Sequence, residues 1–366
     1  MTDKIEIVKK ILIDAIHLNA SDIFVIPGKH IVYKIQGKYH NATQSRINSE
    51  TAENIIQALY HLSQERSMDC CSSGDDDFAV MIPSVGRYRI NVFRQRFALA
   101  CVIRTIVFSI PDPQENNIPN TIVNLANYHR GIVLFTGTTG SGKSTSLACI
   151  VDKINREKEK HIVTIEDPIE FRHDHKKSIV SQRELDTDTK SYSRALRAVL
   201  RQAPDVILVG EMRDYETIHA AITAAETGHL VFSTLHTMDA SSTIERIVDV
   251  FPSTQQNQIR IQLAMTLRAI VSQMLVPTID GVRHPVFEIL LVNTAVRNLI
   301  RENKTFQLEN LLQTSVDSGM RTMNMSLLDI YLKGIISKET AISYSLNPND
   351  LTKRIEEHMN VTANKM

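Results

Sequence analysis

Apolar side chains recur at Ile5, Val8, Leu12, Ala15 and Ile16 with polar residues between them, so residues 4–18 carry one hydrophobic face at helical spacing. Asn19, Ala20, Ser21 and Asp22 read as a stop. The period then shortens. Residues 23–26 and 31–35 read as strands parted by Pro27 and Gly28, and a helical pattern returns over 49–63. Strand-like runs follow at 78–82, 88–93 and 101–106, with Gly86 marking a turn between the first two. Mixed helices and strands over residues 1–110 predict a small α+β domain.

Residues 111–119 hold three prolines in polar filling and cannot continue a helix or a central strand, so they read as a linker. Beyond them the rhythm becomes strand, helix, strand, helix. Strand candidates stand at 132–135, 161–165, 205–209 and 230–233, with a further one at 286–292. That alternation predicts an α/β domain over 120–293 with a parallel sheet covered by helices. Residues 294–366 read as mostly helical.

One strand candidate runs directly into chemistry. Gly137, Thr138, Thr139, Gly140, Ser141, Gly142, Lys143 and Ser144 form a complete P-loop, and Thr145 continues into a helix-compatible stretch. Glycines let backbone N–H groups converge on a polyphosphate, and the new helix adds its positive end. Lys143 can reach the β- and γ-phosphates, and the Ser144 hydroxyl can ligate Mg²⁺. By average residue usage this pattern arises by chance in about one chain in a hundred of this length. ATP is the expected nucleotide, because no guanine-recognition motif of the Asn-Lys-x-Asp type is present.

Three further features fit hydrolysis. Four apolar residues of the run 205–209 lead into Glu211, which suits a Walker B acid near the metal. Glu166, Asp167 and Glu170 place three carboxylates in five positions after another strand; such a group can orient and deprotonate water. His229 and His236 bracket the run 230–233, and a histidine after a sheet strand is placed to feel a γ-phosphate. Arginines offer a fourth. Arg194, Arg197 and Arg201 share a helix face, and Arg87, Arg89 and Arg104 lie on or beside strands of the first domain. An arginine brought to the γ-phosphate stabilises transition-state charge.

Composition narrows the class. Hydrophobic residues make up 43% of the 366, and 41 basic residues balance 41 acidic ones. A formal net charge of zero argues against a dedicated nucleic-acid surface. The four cysteines, Cys70, Cys71, Cys101 and Cys149, show no zinc-type spacing and read as free thiols. No signal-peptide pattern and no run of membrane-spanning length is present, so a cytoplasmic protein without a direct membrane span is expected.

In this order the motifs resemble the secretion-type ATPase superfamily, and within it the type IV pilus retraction ATPases, the PilT family. The likeness is strongest over residues 131–302. Residues 164–170 match the family's Asp box, 210–214 its Walker B, and 224–231 with 234–237 its His box. Residues 295–302, Ala-Val-Arg-Asn-Leu-Ile-Arg-Glu, resemble the signature of the retraction branch, which usually has isoleucine second. Other departures are Phe24, where the family often has histidine, the segment 70–77, and a longer C-terminal tail.

The resemblance implies a homohexamer of PAS-like and RecA-like domains with a helical C-terminal region. It would use ATP and Mg²⁺ to withdraw pilin subunits through an inner-membrane platform protein, with the pilus assembly ATPase as a further candidate partner. The motor would sit at the inner membrane through that machine. By motif position the resemblance makes Glu170 the catalytic glutamate, Glu211 the Walker B acid, His229 and His236 the His-box pair, and Arg89 and Arg104 arginines that close over the nucleotide. Assembly and secretion ATPases share the boxes but commonly add an N-terminal domain and a four-cysteine metal site, both missing here. A RecA-like nucleic-acid translocase is the reading from another class.

Overall fold

The computed structural model describes residues 2–35, 37–63, 74–82, 85–106 and 110–363; Cys70 and Cys71 lie outside them. The chain forms two compact units, Met1–Ser109 and Ile110–Met366.

In the first unit α1 (Thr2–His17) and α2 (Ser49–Ser63) pack on an antiparallel sheet. Its strands are β1 (Ala20–Val25), β2 (Val32–Ile35), β3 (Lys38–Asn41), β4 (Asp75–Ile82), β5 (Gly86–Gln95) and β6 (Ala98–Ile106), in spatial order β3-β2-β1-β6-β5-β4. Alternation in β5 buries Tyr88, Ile90 and Val92 and leaves Arg87, Arg89 and Asn91 on the other face. Two buried tyrosines tie sheet to helix: the hydroxyls of Tyr88 and Tyr33 donate to Leu12 O and Ile11 O at 2.8 and 2.9 Å. The sequence stop is shorter than expected. Asn19 adopts φ 53° and β1 begins at Ala20. β3 escaped the pattern because all four of its residues are exposed, so no alternation marks it.

The second unit is built on seven strands in the order β13-β12-β7-β11-β10-β8-β9. These are β7 (Gly131–Thr136), β8 (His161–Glu166), β9 (Ile179–Glu184), β10 (Val206–Val209), β11 (Leu230–Leu235), β12 (Leu267–Pro277) and β13 (Arg283–Leu291). Neighbours pair in parallel except β12 with β13, which are antiparallel and modify the expected all-parallel sheet. Around them run α3 (Asn120–Val123), α4 (Lys143–Glu157), α5 (Tyr192–Val199), α6 (Tyr215–Glu226), α7 (Ala240–Asp249) and α8 (Ser253–Thr266). Then come α9 (Thr294–Arg301), α10 (Leu308–Thr314), α11 (Met323–Leu332), α12 (Lys338–Ser343) and α13 (Pro348–Ala363).

β7 and β11 are buried along their whole length, as strands covered on both faces must be. Two strands went unread in the sequence. β9 is polar at Ser181, Gln182 and Arg183, and β12 follows α8 with no turn residue between them. The stretch read as a linker belongs to the second unit: Ile118 is buried, and the Cys149 thiol donates to Pro111 O at 3.2 Å. Burial pushes the Cys149 thiol up to about 12, with Asp112 and Asp152 adding to the rise, so it stays a neutral core side chain.

Phe232, fully buried in β11, tests this core. Phe232→Ala should cost about 3–5 kcal/mol, seen as a drop of order 10 °C in the main calorimetric transition. An unchanged transition would remove β11 from the core.

Candidate functional site

Every parallel strand of the second unit ends at the same edge of the sheet, and the candidate chemistry collects there. β7 runs into the P-loop, β8 into the acidic box, β10 into Gly210 and Glu211, and β11 into His236.

The P-loop is folded as a cradle. Gly137, Gly140 and Gly142 hold φ of 138°, 78° and 90°, and Gly142 caps the 15-residue helix α4. At Gly137 the need for glycine is twofold, since a Cβ would also stand 2.1 Å from the carbonyl oxygen of Gln273. β12 buttresses the loop. Thr136 donates to Ser272 Oγ at 3.0 Å, and the Ser146 hydroxyl donates to Gln273 Oε1 at 2.9 Å. Lys143 Nζ is turned back onto Gly137 O and Thr138 O at 2.8 and 2.9 Å. Ser141 Oγ is buried with no partner. A bound polyphosphate would accept from the ammonium in place of the two carbonyls, from the orphaned hydroxyl and from the helix N-terminus. Thr138, Thr139 and Gly140 are exposed, and Ser144 and Thr145 lie in the first turn of α4.

Three charged groups share one field. Burial lowers the pKa of Lys143, while the carboxylates of Glu170 and Glu211 act to raise it. Glu211 Oε1 forms an ion pair with Arg213, 2.8 Å from its Nε, and Oε2 lies 3.4 Å from His236 Nε2. The strand end that carries it is pinned by β11, where the hydroxyls of Ser233 and Thr234 donate to Val209 O and Gly210 O at 2.8 and 2.6 Å. Ser144 and Glu211 offer hard oxygen ligands to Mg²⁺. Among the described residues no group of three His, Cys, Asp or Glu side chains forms a metal cage. Mg²⁺ suits such a site, for it commonly takes one or two protein ligands and completes its shell with phosphate and water.

The acidic box is anchored from β9. After a cis Asp167–Pro168 peptide, Ile169 N–H donates to Glu184 Oε2 at 2.9 Å. The Gln182 amide donates to Phe171 O at 2.9 Å and Glu166 Oε1 at 3.3 Å, and its oxygen accepts from His173 N–H at 2.7 Å. Glu170 stands exposed at the end of this box. Glu166 keeps some solvent contact yet lies deep in the protein mass. Loss of bulk water pushes its carboxyl up to about 7, and Gln182 holds it down only in part. Beside it, the Tyr192 hydroxyl packs on Gly210, where a Cβ would stand 2.8 Å away. Burial, then Glu211, Asp167 and Glu166, raise the pKa of that tyrosine. Motif reading passed over Gln182, Tyr192, Ser272 and Gln273, and only strand adjacency could have found them.

The two histidines are separated. His236 follows β11 at the P-loop edge, whereas His229 precedes it at the opposite edge, beside Gly131. One strand length, roughly 20 Å, divides them, because residues before and after a parallel strand cannot share an edge. The expectation that both flank the γ-phosphate is therefore corrected within this chain. His229 Nδ1 lies 2.9 Å from Ala224 O, where the ring caps the end of α6. Arg89 and Arg104 belong to the first unit and face each other across β5 and β6. There Arg89 Nε lies 3.5 Å from Asp77 and Arg104 Nε 3.3 Å from Asp22.

Comparison with known proteins agrees with this geometry. Residues 2–342 match the family model described as type II/IV secretion system protein. The chain is 42% identical to the type IV pilus retraction ATPase PilT of Pseudomonas aeruginosa over 88% of its own length and 93% of the relative's. It is 44% identical to a twitching motility protein of Neisseria gonorrhoeae over 87% and 85%. Among solved structures it is similar to the pilus retraction motor PilT with bound ADP, with a TM-score of 0.87, 45% identity, and coverage of 95% and 98%.

Glu166 gives a pH test. Its carboxyl rises from 4.5 to about 7 in the folded chain, so between those values the unfolded chain binds fewer protons. The group's contribution therefore makes stability fall as pH rises through that window. Glu166→Gln should raise the melting temperature relative to the parent by a few degrees, about 2–4 °C per kcal/mol, at pH 8, and leave it unchanged at pH 4.5. Equal shifts at both pH values would show that the carboxyl holds no proton.

Proposed function

The chain belongs to the type II/IV secretion system protein family, and within it we propose an ATP-hydrolysing motor that drives type IV pilus retraction. One observation carries the reading: the P-loop, Glu170, Glu211 and His236 meet at one sheet edge around Lys143, in a chain alike over nearly its whole length to a retraction motor.

The roles follow from placement. Backbone N–H groups of residues 137–142 and the N-terminus of α4 receive the β- and γ-phosphates. Lys143 leaves its two carbonyls and turns its ammonium to the phosphates. Ser144 and Glu211 would hold Mg²⁺, which would supply positive charge to the phosphates. Glu170 orients the attacking water and takes its proton. His236, against Glu211, registers whether the γ-phosphate is present. Arg89 and Arg104, each now beside a carboxylate, are the arginines that would stabilise transition-state charge on the γ-phosphate. The motor works as a homohexamer on a membrane platform protein. Among the described residues no helix is long and apolar enough to cross a membrane, so attachment runs through that partner.

Lys143→Ala should abolish hydrolysis by the purified protein; near-normal phosphate release would sink the site. Glu170→Gln should still bind ATP and turn over about a hundredfold more slowly, and loss of binding instead would make the residue structural. Deleting the gene should leave cells piliated and unable to retract. Bald cells would assign the chain to assembly, and stimulation of hydrolysis by DNA or RNA would point to a translocase.

A further inference from the structure

Tyr192 opens α5, and the cap of this helix fixes where its ring lies: the Arg194 N–H donates to Ser191 Oγ at 3.2 Å. The ring packs on the core of the second unit. Its hydroxyl reaches the ends of β8 and β10. A Cβ built on Gly210 would stand 2.8 Å from that hydroxyl, 3.2 Å from Ile165 O and 3.4 Å from Glu166 Cα. The Gly210 N–H already donates to Ile165 O at 2.8 Å. The phenol thus stands over the seam where the acidic box and the strand bearing Glu211 leave the sheet.

The buried tyrosines of the first unit spend their hydroxyls within the chain: Tyr33 on Ile11 O, Tyr88 on Leu12 O and Tyr60 on Asp76 Oδ2. The Tyr192 hydroxyl makes no hydrogen bond to any described residue. Carboxylates nevertheless stand around it. Glu211 bears on it most, then Asp167 and Glu166, with Arg213 opposing them. A phenol in such company is a donor, and a donor held largely away from bulk water normally finds an acceptor. Packing does not account for the oxygen, because phenylalanine would fill the same space against the core. Glu211 has capacity to accept. Its Oε1 meets Arg213 and its Oε2 lies near His236, and a carboxylate offers about four acceptor positions. Tyr192, Glu166 and Glu211 are each half-buried, so water reaches the groups at this seam.

We propose that Tyr192 is a positioning residue for the Walker B carboxylate: through one bridging water its hydroxyl donates toward Glu211 and orients that carboxylate for the metal. A water that accepts from the phenol has two hydrogens left, one for Glu211 and one for the acidic box. The bridge therefore also ties the loop that presents Glu170 to the strand end that carries Glu211. Arg213 and His236, the other neighbours of Glu211, are exposed, whereas Tyr192 is set in a capped helix against the core. It is the rigid support of the three. Carboxylates that bind a metal are themselves held by hydrogen bonds, and loss of such a partner costs about 10–100-fold in metal affinity or activity. The inference rests on the nucleotide-site reading of Glu211 and adds a residue that no motif contains.

The test is Tyr192→Phe in the full chain. Removing a hydroxyl that has no partner in the chain should leave the melting temperature within about 2 °C of the parent. Affinity for the non-hydrolysable ATP analogue AMP-PNP without metal should stay within about twofold, because the phenol serves the carboxylate and not the nucleotide. Mn²⁺ binding in the presence of AMP-PNP, read by electron paramagnetic resonance, should weaken about tenfold, and the Mg²⁺ concentration for half-maximal hydrolysis should rise to match. Parental Mn²⁺ affinity in the variant overturns the proposal. So does a melting temperature lowered by several degrees, or a loss of metal-free AMP-PNP binding, since either makes Tyr192 a structural residue. A parent that binds no Mn²⁺ with AMP-PNP removes the nucleotide-site reading itself, and this proposal with it; failure of the proposal alone shows only in the variant.

Discussion

The contact between β12 and the P-loop is the constraint on which the rest of the site depends. β7 alone does not fix the loop it feeds, because the glycines that admit a phosphate also leave the backbone loose. β12 removes that freedom from one side. The carbonyl of Gln273 fills the space beside Gly137, its side chain reaches over Gly142 to Ser146, and Ser272 holds Thr136. β11 does the same from the other side for the strand end that carries Glu211. The flexible part is thus short and lies between two rigid edges. A cradle that is already shaped loses less entropy when a nucleotide arrives.

Charge is arranged by the same geometry. An ammonium, two carboxylates and a histidine converge where parallel strands end, and the two carboxylates oppose the fall that burial imposes on the ammonium's pKa. Glu166 is held differently from Glu170, although only three residues separate them. Glu166 is crowded by Gln182 and the protein mass and keeps a proton near neutrality, while Glu170 stands in the open. Two carboxyl groups of one motif therefore have different surroundings. The exposed one is free to meet water and phosphate, and the enclosed one shapes the loop that presents it.

Much of this was legible because local backbone and chemistry coincide in consecutive residues. Residues 137–144 specify both a turn and the groups it needs, and Glu211 sits directly after a run too apolar to be anything but a buried strand. The histidines were harder. A strand's two ends look alike in sequence until its direction in the sheet is known, so His229 and His236 seemed equivalent and are not. Gln273 and Gln182 belong to no motif. Each acts through a neighbour distant in sequence, and β9 and β12 were themselves hidden, one by polarity and one by the missing turn after α8. The stretch 111–119 makes a similar point: three prolines forbid regular structure but do not forbid packing, and Ile118 packs.

β12 also relates the two edges of the sheet. It begins at Leu267, at the end of α8, and passes Ser272 and Gln273 at the P-loop. It is hydrogen-bonded on both sides, to β7 and to β13, and most of its side chains are buried. Side chains on both of its faces are packed, so a slip of one residue would misplace all of them, and the strand keeps its register. The end of α8 is thereby joined to the strand that holds the phosphate loop with no flexible segment between. A motor needs that property, because motion generated at a nucleotide is useful only if the body that carries the load does not yield first.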